Sequence, residues 1–450
     1  MYNQIIETLP LPKLRNLQNE QLRQLIERVY HTVPFYKKTF EQAGLLPKDI
    51  KGVQDLHKIP FTHKTDLRDN YPFDLFAVPM DKVHRIHASS GTTGKPTVVG
   101  YNRKDLRIFD EVVARSLVAA GAKKGMKLHN AYGYGLFTGG LGMHGGATKL
   151  GMAVIPVSGG MTDRQLMILQ DFKPEVICCT PSYAQTLGEE LQKRGISKDA
   201  INLKYAILGA EPWTETIRTE VEELLNVQAT NIYGLSEIIG PGVSQEAVDE
   251  KGTGSYIWED HFFPEVVDRD TGEPLPYGQE GVLVFTTLTK EAMPLLRYWT
   301  NDICSIYYDK GAKRSHIKMS AIKGRADDML IIRGVNLFQT QVEVLLENME
   351  LITPNYQLIV TREGTMDNVK LDVEVTENLS KNITGDFQNN DTIKTLTGSL
   401  IQKIKNNMKQ LLLVALSIFT IQLLQAQDQF ERLYRATGRE FLAMDVQQTS

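Results

Sequence analysis

Apolar positions recur at helical spacing from the start of the chain. Leu22, Leu25, Ile26 and Val29 fall at three- and four-residue intervals. Residues 17–40 therefore read as a helix with one apolar face. Pro34 breaks or kinks it, because its ring removes a donor and clashes with the preceding turn. The stretch V-P-F-Y-K-K, and then P-F-T-H-K-T-D-L-R-D-N-Y-P-F from Pro60 to Phe73, is punctuated by proline and reads as loop. From residue 104 the period switches repeatedly. Helix is expected over 104–120, ending at Gly121, and over 162–172, 183–193 and 215–225. Strand is expected over 126–131, 152–157, 176–179, 205–208 and 228–232. Strand–helix alternation of this length predicts an α/β domain with helices on a largely parallel sheet. Ligands in such sheets sit beyond the carboxyl ends of the strands.

The pattern changes over 252–308. Turn signals D-R-D-T-G-E-P and P-Y-G-Q-E-G separate runs such as V-L-V-F-T-T, which read as a smaller β-rich subdomain. After Gly324 a short α+β module follows, with strands at 329–332, 357–361 and 370–376 and helices at 341–349 and 392–405. The expected domains are 1–323, 324–407 and a tail, 408–450.

Composition narrows the class. A chain of 450 residues has room for two or three domains. A net charge of −4 gives no reason to expect nucleic acid or an anionic membrane as partner. Of three cysteines, Cys178 and Cys179 adjoin in an apolar run and Cys304 is distant. That is a reduced, cytoplasmic pattern and not a disulfide framework. The N-terminus, M-Y-N-Q-I-I-E-T-L-P, has no apolar core of signal-peptide length.

Candidate chemistry concentrates in six segments. The densest is Ser89 to Thr97, S-S-G-T-T-G-K-P-T. Gly91 and Gly94 free the backbone to turn, Ser89, Ser90, Thr92 and Thr93 offer hydroxyls and amides, and Lys95 adds a charge. These are the ingredients of a phosphate cradle. It is not a Walker A loop, since Ser89 and Pro96 stand where glycine and Ser/Thr are needed. In A-Y-G-Y-G-L-F-T-G-G-L-G, Tyr132, Tyr134 and Phe137 alternate with glycines. That gives either a flat wall for an aromatic acid or core aromatics in a tight turn. G-A-E-P-W begins at Gly209, and Y-G-L-S-E-I-I-G-P-G at Tyr233. The latter is no nucleophile elbow, because Ile238 replaces the second glycine. Glu237 has the oxygen chemistry for Mg²⁺, and Tyr233 has a ring that can stack on a purine. In L-L-R-Y-W-T-N-D, Asp302 can accept ribose hydroxyls. K-G-R-A-D-D-M-L-I-I-R-G-V-N-L-F lies at the expected boundary, where a hinge belongs. Lys64 is a further lysine with a substrate-facing or a solvated role.

The ordered set S-S-G-T-T-G-K-P, G-A-E-P-W, Y-G-L-S-E, R-Y-W-T-N-D and G-R-A-D-D-M-L-I-I-R-G-V-N-L-F closely resembles the adenylate-forming enzymes, in their phenylacetate–CoA ligase branch. It spans about residues 1–407. The resemblance implies a large α/β domain, a small mobile C-terminal α+β domain, and a two-step reaction. An aryl acid attacks ATP to give an acyl-adenylate, and coenzyme A then takes the acyl group after the small domain rotates. ATP, Mg²⁺ and coenzyme A are thus implied. The β- and γ-phosphates would lie on Ser89 to Lys95. Gly209, Ala210, Glu211, Tyr233 and Gly234 would line the adenine site. Asp302 and Arg325 would hold the ribose, Glu237 would bind Mg²⁺, and Asp327 would be the hinge. Tyr132, Phe137 and Gly209 would face the aryl group. Lys95, Glu237 and Arg325 would carry catalysis, with no covalent enzyme intermediate. Partners are the small molecules alone, with a homodimer left open.

Three departures qualify the resemblance. Many relatives carry a Cys/His cluster; here the matching segments hold His316 and no cysteine, so no zinc is expected. Gln339 stands where the hinge motif usually continues with proline. After residue 407 the chain reads M-K-Q-L-L-L-V-A-L-S-I-F-T-I-Q-L-L-Q-A-Q, where relatives carry a lysine that serves adenylation. The apolar run 411–424 is shorter than the ~20 residues that span a bilayer and has a signal-peptide layout. It reads either as the start of another reading frame joined on, able to associate with membranes, or as a divergent amphipathic helix. Slow adenylation is expected from it. A nucleotide-binding pseudoenzyme and an adenylation domain that loads a carrier protein remain alternatives.

Overall fold

The stripe expected over 17–40 folds as two helices, α2 (Leu11–Thr32) and α3 (Pro34–Gln42), after a short α1 (Gln4–Glu7). Val33 between them is extended, and Pro34 opens α3 at a position where its missing N–H costs nothing. These elements belong to a computed structural model. It describes residues 1–89, 96–211, 213, 215–326, 330–332, 335–337, 346, 349, 351–363, 366–383, 390–407, 419–424 and 447–449. The chain divides into two compact units, Met1–Asp328 and Met329–Ser450.

In the first unit α4 (Lys64–Asp69) leads to a hairpin of β1 (Arg85–Ser89) and β2 (Thr97–Tyr101). Then α5 (Arg103–Ala119) begins on a capping box. The Asn102 side chain accepts from Asp105 N, and the Asp105 carboxylate accepts from Asn102 N. The alternation follows: β3 (Lys127–Asn130), α6 (Thr138–Leu150), β4 (Ala153–Ile155), α7 (Thr162–Phe172), β5 (Val176–Cys179), α8 (Pro181–Lys193), β6 (Tyr205–Gly209), α9 (Glu215–Leu225) and β7 (Gln228–Leu235). Seven strands complete the unit: β8 (Gly240–Glu246), β9 (Ser255–Ile257), β10 (Phe262–Val267), β11 (Glu280–Thr287), β12 (Tyr298–Tyr307), β13 (Lys318–Met319) and β14 (Gly324–Arg325).

Strands β4-β3-β5-β6-β7 pair in parallel. The array continues antiparallel through β8, β9, β13, β12, β11 and β10, with β14 also on β12. The β-rich stretch is therefore joined by hydrogen bonds to the parallel strands in one twelve-stranded sheet. Strand β5 is buried throughout, as a strand covered on both faces must be. Its alternation sends Cys178 to one core, with Phe109, Val112 and Val113 of α5. Ile177 and Cys179 go to the other, with Leu166, Leu187 and Val221 of α7, α8 and α9.

The hydrophobic pattern does not announce α6, because five of its residues are glycine and glycine disfavours helix. Packing overrides propensity here. A Cβ at Gly142 would lie 2.3 Å from Phe109, at Gly145 2.0 Å from Asp110, and at Gly146 2.3 Å from Val113. The glycine stripe lets α6 lie against α5 at a separation that no side chain allows.

In the second unit β15 (Leu330–Ile332) pairs with β16 (Val335–Leu337). A four-stranded sheet holds β17 (Ile352–Glu363), β18 (Met366–Val375), β19 (Phe419–Leu424) and β20 (Gln447–Thr449), in the order β19-β18-β17-β20. Helices Glu377–Asn382 and Asp391–Asn407 accompany it. The helix expected over 341–349 lies outside the described residues except at Leu346 and Met349. Within the apolar run 411–424, Phe419–Leu424 is strand and pairs in parallel with β18; 411–418 lies outside the described residues. No helix among the described residues is long and apolar enough to cross a membrane.

Candidate functional site

The carboxyl ends of β3, β6 and β7 carry three of the segments singled out in the sequence, those beginning at Ala131, Gly209 and Tyr233. Residues Ser90, Gly91, Thr92, Thr93, Gly94 and Lys95 lie outside the described residues. The base of their loop is defined. Ser89 and Thr97 face each other across the hairpin, and neither buried hydroxyl has a hydrogen-bond partner among the described residues. Buried donors of this kind cost free energy unless something pairs them. His87 Nδ1 donates to Leu136 O at 2.9 Å, and Ala88 N donates to the same carbonyl at 3.0 Å. The loop after β3 is thereby fastened to the strand that enters the glycine loop. Burial pushes the His87 imidazole toward its neutral form.

At the end of β6, a Cβ on Gly209 would lie 2.1 Å from the Ile232 carbonyl, so only glycine allows β6 and β7 this separation. Ala210 is left-handed, with φ of 69°, a conformation that costs a non-glycine residue. Glu211 turns back to the start of α8. Its carboxylate accepts from Ser182 N at 3.2 Å and Ser182 Oγ at 2.9 Å, where helix N–H groups favour an anion.

Three expected site residues converge. Tyr233 on β7 donates its hydroxyl to Asp302 Oδ2 at 2.6 Å. Arg325 Nη1 donates to Asp302 Oδ1 at 3.2 Å. Asp302 and Arg325 are also register partners between β12 and β14. One side of the Tyr233 ring stacks on Phe285, with centroids 6.4 Å apart. Burial first, then Asp302, raises the Tyr233 hydroxyl well above its usual range. Gly234 is exposed beside them, with the Gly240 carbonyl 1.8 Å from the place of a Cβ.

Glu237, in the turn after β7, is 5% exposed. Lys64 Nζ lies 3.9 Å from its Oε1, and burial first, then the nearby Glu237 charge, raises the Tyr298 hydroxyl well above its usual range. Lys64 thus supplies positive charge where a bound cation would. Mg²⁺ keeps several waters and often takes only one or two protein carboxylates beside substrate phosphates. A single desolvated carboxylate at the end of a strand fits that requirement. Among the described residues no group of three or more His, Cys, Asp and Glu side chains is placed to hold a metal. Both His316 nitrogens are engaged with backbone, at Glu259 N (2.9 Å) and Ile6 O (3.1 Å).

Of the residues expected at the aryl group, Tyr132 is buried in the core beneath β3, and burial raises its hydroxyl strongly. That hydroxyl has no partner among the described residues. Phe137 is 45% exposed at the N-cap of α6. Asp327 lies outside the described residues. Nothing in the sequence points to Ser182 or Phe285, single side chains outside the six segments.

The sequence profile of the AMP-binding enzyme family matches residues 12–289, and that of the AMP-binding enzyme C-terminal domain matches 334–435. The phenylacetate–coenzyme A ligase of Thermus thermophilus is 60% identical, covering 92% of this chain and 95% of that protein. The phenylacetate–coenzyme A ligase of Aromatoleum evansii is 53% identical, covering 82% of this chain and 83% of that protein. A crystal structure of 2-hydroxyisobutyryl-CoA ligase with 2-HIB-AMP and CoA superposes with a TM-score of 0.88 at 25% identity, covering 99% of this chain and 91% of that one. The amide bond synthetase McbA of Marinactinospora thermotolerans shares the fold, with a TM-score of 0.53 at 15% identity over 73% of this chain and 63% of that one. The C-terminal match runs through the apolar run, and none of these likenesses supports the slow adenylation expected from the tail.

Proposed function

The chain belongs to the phenylacetate–coenzyme A ligase family of AMP-binding enzymes, and on that premise we propose that it converts phenylacetate, or a close aryl acid, to its coenzyme A thioester. A carboxylate oxygen of the acid attacks the α-phosphorus of ATP; the bond to the β-phosphate oxygen breaks and pyrophosphate leaves. The sulfur of coenzyme A then attacks the acyl carbon of the adenylate, AMP leaves, and the thiol proton passes to solvent.

The observation that carries this proposal is the convergence of Tyr233, Asp302 and Arg325 beside the turn that bears Glu237. A carboxylate pre-set by a phenol and a guanidinium is a ready acceptor for two ribose hydroxyls. Gly209 and Ala210 offer their backbone to adenine, with Glu211, Tyr233 and Gly234 around it. Ser89, Ser90, Gly91, Thr92, Thr93, Gly94 and Lys95 take the β- and γ-phosphates, a reading supported by the buried hydroxyls of Ser89 and Thr97, which have no hydrogen-bond partner among the described residues. Glu237 would hold Mg²⁺, which supplies charge neutralisation on the phosphates when bound. Tyr132, Phe137 and Gly209 line the aryl side, and Asp327 is the hinge. The three buried, unpaired cysteines suit the cytoplasm.

The test is product analysis with ATP, Mg²⁺, coenzyme A and a panel of acids that includes 2-hydroxyisobutyrate. The expected result is phenylacetyl-CoA formed in step with AMP. Acid-independent AMP release, ADP in place of AMP, or transfer only to a carrier protein rejects the proposal.

A further inference from the structure

Lys290 is 2% exposed, in the connection between β11 and β12. Its ammonium donates to the main-chain carbonyl of Glu237 at 2.9 Å and lies 5.0 Å from the centre of the Tyr101 ring. Tyr101 ends β2, the strand that leaves the phosphate loop, and its hydroxyl donates to Ile239 O at 2.9 Å and Ser236 O at 3.3 Å. Thr138 Oγ1 and Ser236 Oγ share a further hydrogen bond at 3.0 Å. The carbonyls of residues 236, 237 and 239 are thus all held by Tyr101 or Lys290. The lysine is itself anchored from behind. The N–H groups of Glu291 and Ala292 donate to Asp105 at 2.7 and 2.9 Å, within the capping box of α5.

Placing an ammonium in the core costs free energy that an apolar side chain would not. A methionine of similar length would fill the same space. What the ammonium alone provides is a fixed height for the Glu237 carbonyl relative to the end of the phosphate-loop hairpin, through the shared Tyr101 ring. We propose that Lys290 is a positioning residue that clamps the Glu237 turn to the phosphate-loop hairpin, so that the Glu237 carboxylate meets a metal carried by nucleotide phosphates. This rests on the assignment of Glu237 to Mg²⁺.

The test uses the full chain as wild type, Lys290→Met, Lys290→Gln and Glu237→Gln. Thermal shift is followed while Mg²⁺ is titrated at fixed ATP, and separately with AMP in EDTA. Loss of a residue that orients a metal ligand commonly costs ~10–100-fold in metal affinity. K290M is therefore expected to need at least ~10-fold more Mg²⁺ for the half-maximal ATP shift. Its ligand-free melting temperature and its AMP shift should stay at wild-type values, and K290Q, which retains an N–H donor, should recover part of the loss. If K290M weakens AMP and Mg·ATP equally and lowers the ligand-free melting temperature, the lysine is only a core anchor and the proposal fails. It fails in the same way if neither variant folds. If E237Q shifts the Mg²⁺ dependence and K290M does not, the clamp alone is wrong. If E237Q leaves that dependence unchanged, the assignment of Glu237 is wrong and the clamp falls with it.

Discussion

Replacing Asp302 with asparagine isolates the charge at the centre of the candidate nucleotide site. Asp302 is 6% exposed, and its carboxylate accepts from Tyr233 Oη at 2.6 Å and Arg325 Nη1 at 3.2 Å. Asparagine keeps the shape and one acceptor but turns an N–H₂ toward Tyr233 Oη or Arg325 Nη1. A hydrogen bond to a charged group contributes about 1.5–3 kcal/mol, and about 1.4 kcal/mol is tenfold. If the carboxylate accepts ribose hydroxyls, losing one such bond raises the KM for ATP by about 10- to 150-fold. The ribose does not change between ground and transition state, so kcat should hold within a few-fold. Steady-state kinetics on D302N, with calorimetric AMP binding and a melting curve, reads all three quantities. A KM for ATP within twofold of wild type, together with a lower melting temperature, would refute the assignment. Asp302 would then only brace Tyr233 and Arg325.

Three other expectations follow from the packing. Gly146→Ala should destabilise by about 1–3 kcal/mol, because the new Cβ meets Val113; alanine is the better helix former, so a gain in urea midpoint would mean that α6 does not need its glycines. His129 is buried and bonded to Gln165, and burial pushes its pKa down to about 4. A depressed folded pKa contributes stability present above the unfolded value of about 6.5 and lost as pH falls toward 4. Wild type should lose up to about 3 kcal/mol more than H129Q between pH 7 and 4, and parallel stability curves would contradict this. Truncation after Asn407 removes β19 from the edge of β18 and should lower solubility, since an unpaired edge invites association; a more soluble truncation would favour a foreign apolar tail.

Strong periodicity made much of the first unit legible. Helix 162–172, strand 176–179 and helix 215–225 occur at the expected bounds, because an apolar strand between amphipathic helices admits few other arrangements. Two elements were hidden by composition. Glycines masked α6, where close packing on α5 overrides propensity. Strand β8, G-P-G-V-S-Q-E, buries Ser244 and Gln245 instead of an apolar row. At the candidate site, Tyr233, Asp302 and Arg325 were readable as members of ordered motifs. Their mutual hydrogen bonds were not, since these depend on β7, β12 and β14 being brought together. Lys290 was invisible for the same reason: one lysine in L-T-K-E-A-M gains meaning only once it is found under the Glu237 carbonyl.

The most direct measurement is ATP–pyrophosphate exchange with and without phenylacetate, in the absence of coenzyme A. Exchange that depends on phenylacetate and saturates with it is the expected result, because only an enzyme-bound acyl-adenylate returns labelled pyrophosphate to ATP. Exchange that ignores the acid, or none at all from a folded chain that still binds ATP, would contradict the account and leave a nucleotide-binding protein without this chemistry.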